Sequence, residues 1–564
     1  MKWLNEHSKL FLSKGYLKGG VTAEERIREI AETAERILKK DGFAEKFYDY
    51  MSRGYYSLAS PVWSNFGLAK GLPISCFSSY IGDDMGQILF TEAEVGMMSK
   101  YGGGTAGYFG DLRPRGASIK DNGVSSGAVH FMRLFETMVN VVSQGSVRRG
   151  HFAPYLPVEH EDIHEFLEIG TEGNPIQELT YGVTVTDKWL NEMIEGDEGK
   201  RAIWAKVLQR RSQIGYPYIF FTDTVNRDTV DVYKDKNLKI HASNLCSEIL
   251  LPSHDNWSFV CDLSSMNLLY YKDWKDTDAV ETLVYFLDAV MSDFLERLED
   301  LRDSEDMRKK QAFLFMERAY NFAKANRALG IGVLGWHSLL QQRMISFESA
   351  EAQNLNKEIF KELKTQCYEA SKKLAKEYGE PEILEGYGRR NTALLAVAPT
   401  TSSAFILGHV SQSIEPLWSN CYVKDIDKMK ITIKNPFLEK LLEEKGLNTR
   451  EIWQSVREND GSVQHLAELT DEEKEVFKTF AEIDQKIVIE QAAERQKFID
   501  QGQSLNLMID PSTPAKETNA LYLHAWKRGI KTFYYQHSMN AAQQFGRKKL
   551  KEVNLKQKEV DQKE

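Results

Sequence analysis

The chain is poor in cysteine, with five in 564 residues: Cys76, Cys246, Cys261, Cys367 and Cys421. An odd count at that density excludes a secreted disulfide framework. No CxxC occurs, which argues against a zinc ribbon, and no cysteine follows Cys421. Long apolar runs are missing as well. No window approaches the ~18 apolar residues of a membrane span, and the opening MKWLNEHSK lacks the apolar stretch of a signal peptide. The cytoplasm is the expected compartment, with no membrane partner. There is no basic surplus either: the net charge is −10. That excludes an electrostatic nucleic-acid binder and leaves room for a specific basic pocket.

What is present is material for a large core, 42% hydrophobic and 27% charged. Length alone suggests three or four domains unless an α/β barrel absorbs most of the chain. Residues 22–40 read as an amphipathic helix. Thr22 and Glu25 have capping-box spacing, and Ile27, Ile30, Ala31, Ala34, Ile37 and Leu38 form one apolar stripe. More helix follows to about residue 54. Strands are predicted at Tyr218–Phe221, Leu238–Ser243, Phe259–Leu263, Ala393–Ala398 and Ile530–Tyr535. Helices are predicted over 278–328 and 348–378, with a charged helical stretch at 436–500. Helix and strand alternate with no Pro/Gly/Ser linker and no internal repeat. The expectation is a small helical lobe (1–58) ahead of one α/β body (59–545). A charged, solvated tail (546–564) follows, with 11 charged residues among its last 18.

Two motifs look sharper than their surroundings support. His160-Glu161-Asp162-Ile163-His164 matches HExxH, the pattern of a zinc hydrolase. Its acidic context instead predicts an exposed helix, and no metal site is expected in the chain. Gly330-Ile331-Gly332-Val333-Leu334-Gly335 matches GxGxxG, but no apolar strand precedes it as a dinucleotide fold requires. Glycines that let a helix approach the backbone closely are the preferred explanation.

The informative segment is Ser243-Asn244-Leu245-Cys246-Ser247-Glu248. In an extended chain Asn244, Cys246 and Glu248 share one side, aligning an amide, a thiol and a carboxylate. Glu248 can take a proton and Cys246 can do nucleophilic or radical work. Alone, the hexapeptide is equally consistent with an inert cysteine in a buried strand. Other segments follow in order along the chain: Ile74-Ser75-Cys76-Phe77, Ser143-Gln144-Gly145-Ser146-Val147-Arg148, Val260-Cys261-Asp262-Leu263-Ser264, Pro399-Thr400-Thr401-Ser402-Ser403 and Phe533-Tyr534-Tyr535-Gln536. Together they resemble the large, catalytic α subunit of class I ribonucleotide reductase, across residues 60 to 536.

The resemblance implies a ten-stranded α/β barrel of two antiparallel-arranged halves, with Asn244–Glu248 on a finger loop. It also implies roles. Cys246 would become a thiyl radical that abstracts the ribose 3′-hydrogen, and Glu248 would be the general base toward the 3′-hydroxyl. Asn244 would hold the sugar hydroxyls, and Cys76 and Cys261 would be the redox pair. That pair requires Cα atoms within ~7 Å. Ser60, Ser75, Pro399, Thr400, Thr401, Ser402 and Ser403 would bind the substrate, the last hydroxyls and N–H groups taking its diphosphate. Tyr534 and Tyr535 would relay a radical from a separate metal-containing β subunit. If their rings stack, the strand must end or distort there, because strand neighbours face opposite ways. Asp83, Arg113 and Arg148 would form an allosteric specificity site for a dNTP or ATP effector with Mg²⁺ at a homodimer interface. The partners implied are the β subunit, ribonucleoside diphosphates, and thioredoxin, glutaredoxin or another dithiol; no cofactor is bound covalently in the chain.

Two features depart from the family pattern. The chain opens almost directly into the helical lobe, without the N-terminal ATP-cone of many members, so no dATP inhibition through a second site on this chain is expected. The tail carries no cysteine pair to re-reduce Cys76 and Cys261, so turnover with thioredoxin alone is expected to be slow and a small dithiol to serve better. The competing readings are a cobalamin-dependent reductase, which shares the cysteines without needing the relay, and a nucleotide-binding paralogue that has lost turnover.

Overall fold

The structure is a computed structural model, and it describes residues 1–142, 150–426 and 429–538. The helical lobe forms where its sequence pattern places it. Helix Ala23–Leu38 starts at Thr22, whose side chain accepts the Glu25 N–H while Glu25 returns to the Thr22 N–H. Ile27, Ile30, Ala31, Ala34 and Leu38 are buried, Ile37 half-buried. Burial of each larger side chain contributes roughly 1.5–3 kcal/mol, which is what holds a helix that charges cover on its outer face. The lobe shares one continuous core with the α/β body, through contacts such as Phe47 stacked on Phe286 at 4.2 Å. A smaller separate core, including Leu438, Leu442, Trp453 and Phe477, holds the helices between Pro436 and Val476.

The body is a barrel of two parallel halves. In the first half, strands Cys76–Tyr80, Gly104–Tyr108, His151–Pro157, Gly182–Val185 and Tyr218–Phe221 pair in that order, all parallel. In the second, strand Phe259–Asn267 pairs in parallel with Leu329–Leu334. Parallel bridges Ile331–Leu395 and Val397–Gln503 then carry the hydrogen bonding onward to strand Leu507–Met508, which pairs in parallel with Gln536–His537. Two antiparallel seams join the halves. Cys76–Ser78 meets Phe259–Cys261 at one, and Thr532–Phe533 meets Ile219–Phe220 at the other. The implied ten-stranded barrel is thereby realised, two of its strands being extended segments held by single bridges.

Three local expectations change. Leu238–Ser243 is not a strand: the Asn226 side chain binds both the N–H and the C=O of Ile240, taking the place of a neighbouring strand. Gly330–Gly335 is not a site of helix packing: Leu329–Leu334 is itself a barrel strand, and Gly335, with φ of 80°, caps the helix Trp336–Gln342 that follows. A Cβ on Gly332 would lie 2.5 Å from Ala396 O, so the glycines admit a neighbouring strand rather than a helix. The HExxH segment holds only a four-residue helix, Ile163–Phe166. His160 precedes it with its side chain buried, Nε2 2.7 Å from Leu112 O and Nδ1 accepting the Asp162 N–H. Asp162 is buried too, accepting the N–H groups of Arg115 and Ala128, while Glu161 and His164 are exposed. The two histidines therefore do not share a helical face. Among the described residues no helix is long and apolar enough to cross a membrane.

Candidate active site

The loop carrying Cys246 projects between the two halves and is tied to both. On the first half, Ser243 Oγ lies 2.5 Å from Tyr155 Oη, and the Leu245 side chain lies against Gly104. On the second, Gly502 N–H donates to Glu248 O, Leu250 N–H to Gln501 Oε1, and Thr532 Oγ1 to Ser247 O. The segment is a tight turn rather than an extended strand. Asn244 and Ile249 pair through their backbones, the Asn244 side chain accepts the Ile249 N–H at 3.1 Å, and Ser247 has φ of 72°. Alternation along a strand is therefore not what gathers Asn244, Cys246 and Glu248; the turn does, and Ser504 helps. The Ser504 hydroxyl is 2.5 Å from Cys246 O and 3.0 Å from Glu248 Oε2.

Glu248 is buried, and burial pushes its carboxyl up to about 7, against the opposing effect of bonds from Asn244 and Ser504. A carboxyl that titrates near neutrality can both take and return a proton at working pH.

Cys76 and Cys261 occupy the first seam as directly opposed residues of antiparallel strands. Opposed pairs have Cα atoms roughly 4.5–5.5 Å apart, inside the span a disulfide tolerates. Burial, with Cys76 beside it, raises the Cys261 thiol well above the ordinary thiol range. Gln501 donates one N–H toward Cys261 Sγ at 3.8 Å and also to Leu329 O.

Tyr534 and Tyr535 lie at the second seam, in the break between Thr532–Phe533 and Gln536–His537. The interruption allows adjacent rings to meet, with centroids 4.3 Å apart. The Tyr534 hydroxyl donates to Cys246 Sγ at 3.5 Å. Tyr218 packs on both rings, at 5.0 and 5.4 Å. Burial raises the Tyr534 phenol well above its usual range, so it stays neutral.

The family model for the ribonucleotide reductase barrel domain matches residues 74–200, 195–386 and 381–536, and that for the ribonucleotide reductase all-alpha domain matches residues 2–71. The chain belongs to the ribonucleotide reductase large-subunit family. Among solved structures, an Actinobacillus ureae class Id ribonucleotide reductase alpha subunit is 58% identical, with a TM-score of 0.89, covering 96% of this chain and 98% of that one. A ribonucleoside-diphosphate reductase large subunit from Invertebrate iridescent virus 3 is 32% identical over 606 residues, 93% of this chain and 92% of the relative. A large subunit from Danio rerio is 29% identical, covering 93% of this chain and 74% of the relative.

The remaining reductase-type positions are more scattered. Helix Thr401–Ile406 follows Pro399 and Thr400. Thr400 is buried, its hydroxyl accepting the Ser413 N–H, so it is occupied within the protein. Thr401 is exposed, with Oγ1 on Gln412, and Ser402 and Ser403 are half-exposed. Ser60 begins helix Ser60–Asn65 and reaches the Tyr16 hydroxyl at 3.4 Å. Tyr16 stacks on Phe11, which packs on Phe405 of the Thr401 helix, so these two regions share one wall. Ser75 precedes Cys76, its C=O accepting the Gly104 N–H. Asp83 and Arg113 form a part-exposed ion pair at 2.8 Å. Arg148 lies outside the described residues.

The sequence reading missed Tyr155, Tyr218, Gln501 and Ser504. The signal available for the last two was the polar run Asp500-Gln501-Gly502-Gln503-Ser504, in which Gln501, Gln503 and Ser504 are buried although no apolar periodicity marks them.

Proposed function

We propose that this chain reduces ribonucleotides to 2′-deoxyribonucleotides through a thiyl radical on Cys246. The chain is the catalytic subunit of a ribonucleoside-diphosphate reductase, an oxidoreductase. The observation that carries the division of roles is the Tyr534 hydroxyl 3.5 Å from Cys246 Sγ, because a hydrogen atom can pass directly across that contact. A radical made in a partner β subunit reaches Tyr535, then Tyr534, then Cys246. The Cys246 radical removes the ribose 3′-hydrogen while Glu248 takes the 3′-hydroxyl proton, and the 2′-hydroxyl leaves as water. Cys76 and Cys261 supply two electrons and become a disulfide. Cys246 then gives the hydrogen back to the 3′-carbon and becomes a thiyl radical again, and Tyr534 finally returns a hydrogen atom to its sulfur. Asn244 orients the sugar.

Thr401, Ser402, Ser403 and Ser60 bind the diphosphate, using hydroxyls and first-turn N–H groups in place of net positive charge. A dNTP or ATP effector with Mg²⁺ binds near the Asp83–Arg113 pair at the interface of a homodimer. An external dithiol, thioredoxin, glutaredoxin or a smaller one, reduces the Cys76–Cys261 disulfide. These finer assignments rest on the family resemblance and on the placement of the residues.

The test is CDP reduction by the purified chain with its β subunit, with and without thioredoxin. Cys246→Ser is expected to abolish product while nucleotide binding persists. Product formed by the variant, or by the wild type with adenosylcobalamin and no β subunit, would overturn the reading.

A further inference from the structure

Two further rings extend outward from the half-exposed tyrosine pair. Beyond Tyr535, the His537 ring lies 5.8 Å away at a shallow angle, and the Trp418 ring meets His537 edge-on at 4.5 Å. Trp418 is 45% exposed, one of the few large apolar side chains so placed, yet its indole N–H is anchored inward. It donates to Glu415 Oε2 at 3.0 Å, and Glu415 is nine-tenths buried. The other Glu415 oxygen accepts from the Asn506 amide, whose own oxygen accepts the Tyr535 backbone N–H at 2.9 Å. Trp418 thus touches the relay twice, through the rings and through a hydrogen-bonded chain that ends on Tyr535 itself. Trp418 and His537 also line one cleft of about 860 Å³.

An exposed indole held for packing alone would not require a buried carboxylate on its nitrogen. Burying Glu415 carries a desolvation penalty, and burial raises its proton affinity above that of an ordinary glutamate. A base on the N–H is what an indole needs in order to give up an electron without leaving a full positive charge behind. His537, pushed down to about 4 by burial, is neutral and places no cation beside the path.

We propose that Trp418, with Glu415 as its proton acceptor, is the surface station of the radical relay, passing oxidation from the partner subunit to Tyr535. The proposal rests on the relay reading above. Trp418 loses one electron to the radical of the partner, which is reduced, and its indole proton moves to Glu415. The indolyl radical then takes one electron from Tyr535 and recovers its proton from Glu415. Tyr535 releases its phenol proton to solvent at its half-exposed edge. The return journey reverses each transfer.

The experiment compares wild type, Trp418→Phe, Glu415→Gln and Tyr535→Phe with the β subunit at saturation, measuring turnover, partner affinity and melting temperature. A second arm oxidises the isolated chain with a flash-generated ruthenium(III) complex and follows indolyl and tyrosyl radicals spectroscopically. Trp418→Phe is expected to lose about tenfold or more in turnover, at unchanged partner affinity, and to lose the indolyl signal and most of the tyrosyl yield. Glu415→Gln, which keeps an acceptor for the N–H but cannot take its proton, is expected to slow indolyl formation. Normal turnover of Trp418→Phe while Tyr535→Phe is inactive would overturn the station and leave the relay standing. Loss of partner affinity alone would make Trp418 a docking residue and overturn the proposal. Normal turnover of Tyr535→Phe would remove the relay, and the station with it.

Discussion

Cys76 and Cys261 face each other directly across the antiparallel seam where the two halves of the barrel meet. Their separation is set by strand pairing, so no rearrangement of backbone is needed to join the sulfurs. One turnover without external dithiol is therefore expected to crosslink this pair and no other. Peptide mapping under acid quench reads it, and Cys367 and Cys421 should stay reduced because each is buried elsewhere. A different crosslink, or none, contradicts the assignment.

On the proposed role, Glu248 is expected to set the acid limb of the pH profile. Its carboxyl is raised to about 7 from 4.5 by burial, and the proposed role requires the base form. Activity is expected to fall as pH drops through about 7. Glu248→Gln is expected to lose the limb and roughly 10²–10⁴ in rate. The stability sign is opposite to that of a paired carboxylate. The folded state holds the proton more tightly than the unfolded one, so ionisation between pH 4.5 and 7 costs stability, about 3 kcal/mol at most. Glu248→Gln should therefore raise the melting temperature at pH 8 and change it little below pH 4.5. Equal shifts at both pH values would refute this.

Tyr534→Phe removes one oxygen, the one 3.5 Å from Cys246 Sγ. The ring contacts with Tyr535 and Tyr218 survive the change. Expected results are no deoxynucleotide product, unchanged melting temperature and unchanged affinity for substrate and partner subunit. Appreciable turnover would show that the radical reaches Cys246 by another route.

Gly330 lies beside Cys261 of the proposed redox pair. A Cβ there would lie 2.4 Å from Leu263 Cδ2, 3.2 Å from Ala396 Cβ and 3.3 Å from Cys261 Sγ. Gly330→Ala is expected to cost about 1–3 kcal/mol through overpacking and to slow re-reduction of the disulfide by displacing Cys261. Denaturant unfolding and the rate of dithiol reduction check the two effects. A stable variant with normal reduction kinetics would show that Leu263 simply moves aside.

The elements legible in the sequence were those whose signals are local. The capping box at Thr22 and Glu25 and the stripe from Ile27 to Leu38 specify a helix without help from the rest of the chain. Tyr218–Phe221 reads as a strand and is one. Leu238–Ser243 alternates apolar and polar residues as a strand would but has no free neighbour, because Asn226 fills the hydrogen bonds of Ile240 from outside the segment. The glycines of 330–335 signal close approach, but only the packed neighbour shows that a strand approaches. In the site, residue types and their order along the chain pointed to the reductase resemblance. Gln501 and Ser504 escaped because a buried polar residue carries no periodic signal; its partners, not its neighbours in sequence, explain it.

By itself the sequence determined the chemistry available: a thiol and a carboxylate two residues apart, two further thiols, an adjacent tyrosine pair, and amphipathic helices to bury a large core. Tertiary structure decided what meets what. Strand register brings Cys76 opposite Cys261, the tight turn at Ser247 gathers Asn244, Cys246 and Glu248, and the break after Phe533 turns Tyr534 toward the sulfur. Those contacts join residues hundreds of positions apart. Local propensity acts within a turn or a few residues, so only the closed barrel, whose buried backbone groups must find partners, could settle them.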